Sequence, residues 1–394
     1  MKKLTVLFGV FLFGILLFSN ALDFMPKEYD VVMYIPDISK LYDAVKQTNA
    51  GDILANQIGL EQMFTGVIEQ QLMMQGYTLD DLDIFKELLI VAGKESTLLV
   101  LGPSKDPNKI KELFENFSGQ SLPEEIKIIN GYFVVGENYG GGTLPEELED
   151  FLNKGYLAVS YINTNEEDFK VKGFGYAALR DNEVEFHQEI VPQDDKTKQL
   201  FNDIASKDGI DILKDENIGG DLFGFINRKL PDSLLKSLPV DLPKVLEGFS
   251  GTAYISGDIS SVLTNALSGM QVSNVPFYGV VYYNNPSWDM IEGEKRFENI
   301  GGKKYGIVET EEGTPVLYIN LSNEKITFYG VSPDEYVAGD KEFIKENYSS
   351  DYVVGLFVNL RPMIFNFIGI DSESYFKFYG YFKDGKLIEK ALLK

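Results

Sequence analysis

Cysteine is absent from all 394 residues, and histidine occurs once, at His187. The first absence excludes disulfides, thiolate nucleophiles, iron–sulfur clusters and cysteine-ligated zinc. The second excludes any site that needs two imidazoles. Tryptophan also occurs once, at Trp288, and basic residues are few: 36 Lys and Arg stand against 60 Asp and Glu, for a net charge of −24. Such a field repels nucleic acid and anionic lipid surfaces, so neither is expected as a partner. The acids are spread along the chain, which reads as a solvated surface. A chain of this length without cross-links suggests two or three domains held by core packing alone.

Long apolar runs are missing everywhere except at the start. Met1-Lys2-Lys3 is followed by Leu4–Phe18, which holds only apolar residues, glycine and Thr5. Ser19-Asn20-Ala21 then puts small residues at the −3 and −1 positions of a cleavage site. These are the three parts of a secretory signal, residues 1–21, with cleavage expected after Ala21. The alternative is an uncleaved N-terminal anchor, and either places the rest outside the cytoplasm, periplasmic or secreted. No other stretch approaches spanning length, so no further membrane span is expected.

What the chain does have is one pattern written twice. Gly131–Gly136 reads Gly-Tyr-Phe-Val-Val-Gly and precedes an acidic helical run at Pro145–Lys154. Tyr156–Asn163 and a hairpin turning at Asp181-Asn182 follow. Ile326–Val331, the acidic run Asp340–Tyr348, Tyr352–Asn359 and a hairpin turning at Asp384-Gly385 repeat that order. Internal repetition points to tandem units. The expected fold is therefore α+β, with two related units at 22–205 and 206–394. Each is read as a largely antiparallel sheet covered by helices on one face. Val31–Ile35 and Val353–Val358 are nearly continuous in apolar residues, which suits central strands. Asn130-Gly131 is a hairpin signal between Ile126–Ile129 and Tyr132–Val135. Helices are expected at Lys40–Gln47, capped by Asp37 or Ser39, at Ile58–Gln75, at Leu79–Leu82, at Pro107–Phe117 and at Asp194–Ser206. The second unit is expected to carry helices at Pro231–Leu238, Ser260–Leu267 and Trp288–Glu292.

Met25–Leu41, reading MPKEYDVVMYIPDISKL, resembles the opening of a family of secreted bacterial proteins of unknown function. In that family a strand, Pro-Asp and Lys-Leu follow the signal peptide, and a Gly-Tyr-aliphatic strand precedes an acidic helix, as at Gly131–Gly136 and Pro145–Asp150. The resemblance implies an extracytoplasmic α+β protein and supplies no functional residues.

Candidate chemistry is sparse. Gly140–Thr143 sits between a strand and a helix, where phosphates are cradled, but lacks the Gly-Lys-Ser/Thr ending of a P-loop. Thr143 with Glu146 fits a capping box instead. His187 shares a strand face with Glu183, Glu185 and Glu189, which reads as solvent-facing. Asp208, Asp211 and Asp215 cluster oxygen ligands that calcium favours, without EF-hand spacing. Asp80/Asp81/Asp83, Glu166/Glu167/Asp168 and Asp194/Asp195 read as helix starts and loops. Trp288 reads as a buried anchor for the residues after it. No catalytic residue is singled out and no cofactor is expected. The leading reading is a non-enzymatic envelope protein that binds or scaffolds an unidentified partner, protein or glycan. Two alternatives stand beside it. One is a hydrolase with a carboxylate pair or carboxylate-held metal. The other is a carrier with an apolar cavity lined by residues such as Phe223, Phe225 and Tyr254.

Overall fold

The computed structural model describes residues 21–57, 59–74, 76–78, 86–93, 97–118, 125–166, 169–207, 209–228, 248–260, 262, 275–291, 295–310 and 313–394. Eighteen strands with antiparallel pairing and eight α-helices make the described chain a mixed α+β structure. It divides into two compact units, the first reaching Thr197 and including Leu393–Lys394, the second running from Lys198 to Leu392. The division falls inside a helix, Asp195–Ala205, whose end is where the sequence placed the boundary.

The first unit contains β1 (Val31–Ile35), β2 (Glu87–Ala92), β3 (Thr97–Gly102), β4 (Ile126–Ile129) and β5 (Tyr132–Val135). It continues with β6 (Ala158–Glu166), β7 (Phe169–Arg180) and β8 (Glu183–Pro192). Their lateral order is β8-β7-β6-β1-β2-β3-β5-β4. Tight turns set the registers. Asn130-Gly131 has φ of 51° and 87°, and Asp181-Asn182 has 50° and 61°. Two consecutive positive φ values match the right-handed twist of the flanking strands.

Among the described residues this part of the chain has five α-helices: α1 (Ile38–Lys46), α2 (Asn49–Asp52), α3 (Leu60–Met74), α4 (Pro107–Ser118) and α5 (Glu146–Asn153). The Asp37 side chain caps α1 by accepting from the Lys40 N–H. Gly51 in α2 lies so close to α1 that a Cβ would stand 1.8 Å from the Val45 carbonyl oxygen. α2 is not anticipated from the sequence, since four residues are too short for a period to show.

Both faces of the first sheet are covered, where the sequence suggested one. On one face Val32, Tyr34, Leu89, Val91, Leu98 and Val100 pack against Phe24 and Met25 of the lead-in segment and Leu148 of α5. On the other, Ile35 and Leu88 pack against Ile38 and Leu41 of α1. The reason is in the strands. β1 and β2 are apolar at consecutive positions, so each face needs its own cover.

The second unit begins within α6 (Asp195–Ala205) and holds β9 (Leu222–Asn227), β10 (Phe249–Gly257), β11 (Phe277–Tyr283), β12 (Arg296–Ile300) and β13 (Lys303–Glu309). It ends with β14 (Pro315–Leu321), β15 (Lys325–Tyr329), α7 (Glu342–Asn347), β16 (Tyr352–Asn359), α8 (Arg361–Ile368), β17 (Tyr375–Lys383) and β18 (Lys386–Leu393). The order is β17-β16-β9-β10-β11-β15-β14-β13-β12. β18 follows β17 through Asp384-Gly385, both at positive φ. The core packs Phe223, Phe225, Tyr254, Tyr278, Val280 and Phe357 against Ile212, Ile218 and Ile344. The expected helices at Leu79–Leu82 and Pro231–Leu238, and nearly all of the one at Ser260–Leu267, lie outside the described residues. Trp288–Glu292 shortens to a single 3-10 turn, Trp288–Met290.

Asn227 ends β9 and is fully buried. Its amide nitrogen donates to the Ile210 carbonyl and the Tyr348 hydroxyl, both at 2.8 Å. Its oxygen accepts from the Ile210 N–H (2.9 Å) and the Thr252 hydroxyl (3.1 Å). A buried amide with every polar atom used is worth more than its separate bonds, because removal strands its partners. Asn227→Ala should lower stability by about 2–4 kcal/mol, read as a reduced urea midpoint at unchanged slope.

Candidate functional site

A cleft of the first unit has a volume of about 440 Å³. It is lined by Lys27, Glu28, Tyr29 and Asp30 just before β1, by Gly93 after β2, and by Tyr161, Asn163 and Asn165 on β6. That size falls in the range of small-ligand sites, roughly 300–1,000 Å³. Strand pairing builds it. Val31 pairs with Ile162 and with Ala92, so the ends of β6 and β2 converge on the residues that lead into β1. The Asn163 N–H donates to the Asp30 carbonyl at 2.6 Å, and the Asp30 N–H donates to Ala92 at 2.9 Å.

The two tyrosines are fixed before any ligand arrives. The Tyr29 ring meets Tyr161 edge to face at 5.7 Å, and its hydroxyl donates to the Thr143 carbonyl at 2.8 Å. Lys172 places its ammonium 5.8 Å from the Tyr161 ring and pairs with Glu147 at 3.5 Å. Burial raises the Tyr29 hydroxyl above its ordinary pKa. Burial does the same for Tyr161, helped by Tyr29, Glu147 and Asp30. Both therefore remain neutral hydroxyls at physiological pH. The rest of the wall offers amides that donate and accept (Asn163, Asn165), an ammonium donor (Lys27) and carboxylate acceptors (Glu28, Asp30). That mixture suits a polar ligand rich in hydroxyls.

The residues singled out from sequence lie elsewhere. Gly140–Thr143 is spent on the fold. The Gly140 N–H donates to Phe24 (3.2 Å) and the Gly142 N–H to Met25 (2.9 Å). A Cβ on Gly142 would stand 2.0 Å from the Pro26 carbonyl oxygen. The expected capping box is not formed, since α5 has Pro145 at its N-cap with no side-chain cap, and Thr143 serves Tyr29 through its carbonyl. His187 is not on an open face: its side chain is 17% exposed. It lies 5.4 Å from the Tyr176 ring, which stacks on Tyr156 at 4.1 Å and meets Phe151 of α5. That aromatic stack covers the strand face that alternation assigned to solvent. Asp194 is a helix start, as expected, and its carboxylate accepts from the Thr197 N–H at 2.8 Å.

Of the calcium candidates, Asp208 lies outside the described residues, as do Asp80, Asp81, Asp83, Glu167 and Asp168. Asp211 is exposed and pairs with Lys214 at 3.4 Å. Asp215 is occupied by hydrogen bonds from Tyr254 (2.5 Å), Tyr278 (2.6 Å) and the Asn217 N–H (3.0 Å). No group of three or more metal-ligating side chains occurs among the described residues. Trp288 packs across Gly306 and meets Phe297 edge to face at 5.0 Å. Phe223 and Phe225 stack at 5.2 Å inside the second core, which also holds Tyr254. No helix of the described residues is long and apolar enough to cross a membrane. No family model, curated protein or solved structure matches the chain.

Two carboxylates, Asp215 half-buried and Asp221 buried, give opposite pH signatures. Burial pushes Asp215 up, but the hydrogen bonds from Tyr254, Tyr278 and Asn217 outweigh it and hold it below its ordinary 3.8. Its stabilisation is complete above that value and is lost as pH falls beneath it. Asp221 goes the other way. Burial, reinforced by Asp258, lifts it to about 6 against hydrogen bonds from Ser260 and Ile259. Its effect favours the fold at low pH and is lost as pH rises from about 4 to about 6. Urea midpoints measured from pH 3 to 8 should therefore decline between 4 and 6, and Asp221→Asn should flatten that limb. Asp215→Asn should instead weaken the fall in stability below pH 4.

Proposed function

We propose that this chain is an extracytoplasmic binding protein of two tandem, duplicated α+β units, and that the cleft of its first unit takes a hydroxyl-rich ligand of the glycan class. The observation that carries the ligand class is the cleft wall: two fixed tyrosines, two asparagines, a lysine and two carboxylates around about 440 Å³. Sugars are recognised by such planar amide and charged groups beside aromatic rings. A net charge of −24 disfavours polyanionic ligands and agrees with a neutral or cationic one. The signal-like N-terminus and the resemblance to secreted proteins support an envelope location.

Duplication is supported by topology. Reading β8-β7-β6-β1-β2-β3-β5-β4 against β18-β17-β16-β9-β10-β11-β15-β14 matches strand for strand, with the β12–β13 hairpin added at one edge. α5 and α7 each precede the matching strands β6 and β16. The Asn163 N–H to Asp30 carbonyl bond recurs as Asn359 to Asp221 at 2.7 Å. The glycine loop that donates to Met25 has a counterpart in Asp340, which accepts from the Gly220 N–H at 2.8 Å.

The test is a saccharide panel titrated against the purified full-length chain. At least one neutral or amino-sugar oligosaccharide should bind with micromolar to millimolar Kd, and Asn165→Ala should weaken it about tenfold or more. Lys27→Ala, at the cleft rim, should have a smaller effect in the same direction. Absence of binding across the panel would remove the glycan reading. Shortened saccharide recovered after incubation would move the function to hydrolysis, with Glu28 and Asp30 the carboxylates to substitute first.

A further inference from the structure

Arg228 follows β9 and is 8% exposed. Its guanidinium is clamped by the chain: Nη1 donates to the Asn227 carbonyl at 2.7 Å and Nη2 to the Ser350 carbonyl at 2.8 Å. Gly209 presses on it so closely that a Cβ there would come within 2.1 Å of Nη1. The third donor direction, Nε–H, is buried and has no hydrogen-bond partner. Among the described residues no carboxylate sits at ion-pair distance from this arginine.

An immobilised buried cation without a counter-charge is costly, and in a chain with 60 acids its isolation from them is conspicuous. Arg228 also lines a second cleft, of about 290 Å³, with Ala205, Asp351, Val353, Tyr381, Phe382 and Lys383. Two cations thus face one acid. The rest of the wall is aromatic and aliphatic, and Phe382 is itself held edge to face against Phe201 at 5.2 Å.

We propose that this cleft binds a small monocarboxylate with an apolar body, its carboxylate meeting Arg228 and Lys383 and its body lying against Val353, Tyr381 and Phe382. A planar guanidinium matches a planar carboxylate. Asp351 and the −24 net charge work against more highly charged anions such as phosphate, which selects the singly charged class. The proposal concerns a different unit and a different ligand from the glycan cleft and does not rest on it.

The test is binding of acetate, hexanoate, phenylacetate and inorganic phosphate to the full-length chain, by calorimetry and thermal shift. Phenylacetate and hexanoate should bind and raise the melting temperature, acetate should bind more weakly, and phosphate should not compete. Lys383→Gln, at an exposed position, should weaken phenylacetate about tenfold while leaving the unliganded melting temperature unchanged. Arg228→Lys should abolish the preference for carboxylate. If Arg228→Lys fails to fold, the Lys383→Gln comparison decides alone. No carboxylate binding at about 10 mM, equal affinity in Lys383→Gln, or phosphate binding as tightly as phenylacetate would each overturn the proposal.

Discussion

With no cysteine to cross-link it, the segment that leads into each sheet has to be held by something other than a covalent bond. In both units a carboxylate does it. In the first, Glu87 at the start of β2 is 4% exposed and accepts from the Ala21 N–H at 2.8 Å and the Tyr34 hydroxyl at 3.1 Å. In the second, the carboxylate comes from the other side of the joint. Asp215, on the lead-in segment, accepts from Tyr254 and Tyr278 on the sheet. Around each joint the apolar contacts then follow, Phe24 and Met25 against the first sheet and Ile212 and Ile218 against the second. The cleft between Lys27–Asp30 and β6 exists because the lead-in is pinned on the sheet before β1 begins.

The choice of donors follows from the charge balance. Acids outnumber basic residues 60 to 36, whereas tyrosine occurs 22 times. A buried carboxylate can be stabilised by neutral hydroxyl and amide donors as well as by a cation, at less desolvation than a buried pair demands. Asp215 shows the consequence in its partners: burial first, and then the carboxylate itself, raise both Tyr254 and Tyr278 far above the ordinary tyrosine value. Those phenols stay protonated and remain donors across the physiological range. Asp221 marks the limit of the device. Its hydrogen bonds to Ile259 and Ser260 do not offset burial beside Asp258.

Much of this fold was legible in the sequence because its strands carry their own punctuation. Asn130-Gly131, Asp181-Asn182 and Asp384-Gly385 fix hairpins at the residues where the chain turns. Asp37 marks the start of α1. Elements without punctuation were missed. β12 (RFENI) has too little apolar alternation, and α8 has an apolar stretch that hides its helical period despite Pro362 near its start and Gly369 at its end. The candidate sites were less legible still. Tyr29, Asn163 and Arg228 belong to no motif, and they become informative only when pairing brings β1, β2 and β6 together or burial isolates a charge. Asn163 alone left a trace, as the residue closing the repeated strand. Conversely, the glycine loop and Asp215 looked chemical because their backbone freedom and oxygens resemble those of binding sites. In the folded chain those same properties serve turns and staples.

The two clefts also bear on where a site can form on a sheet of this strand order. The first lies where β1 begins, and the second lies beyond the end of β9, where Arg228 meets the start of β16 and the end of β17. On the proposed alignment of strands these are opposite ends of the same sheet. At the end of β9 that corresponds to the first cleft, Asp221 caps Ile259 and Ser260 while its carbonyl still receives Asn359. The backbone joint is thus common to both units, whereas the side chains around it differ. Shared backbone bonds maintain the strand order, and that leaves the ends of the strands free to vary. A site can then arise at either end of such a sheet without disturbing the joint that holds the lead-in down. The clefts themselves draw their walls from residues 27–30 and 161–165 of the first unit and from Arg228 and 351–383 of the second, rather than from the cores.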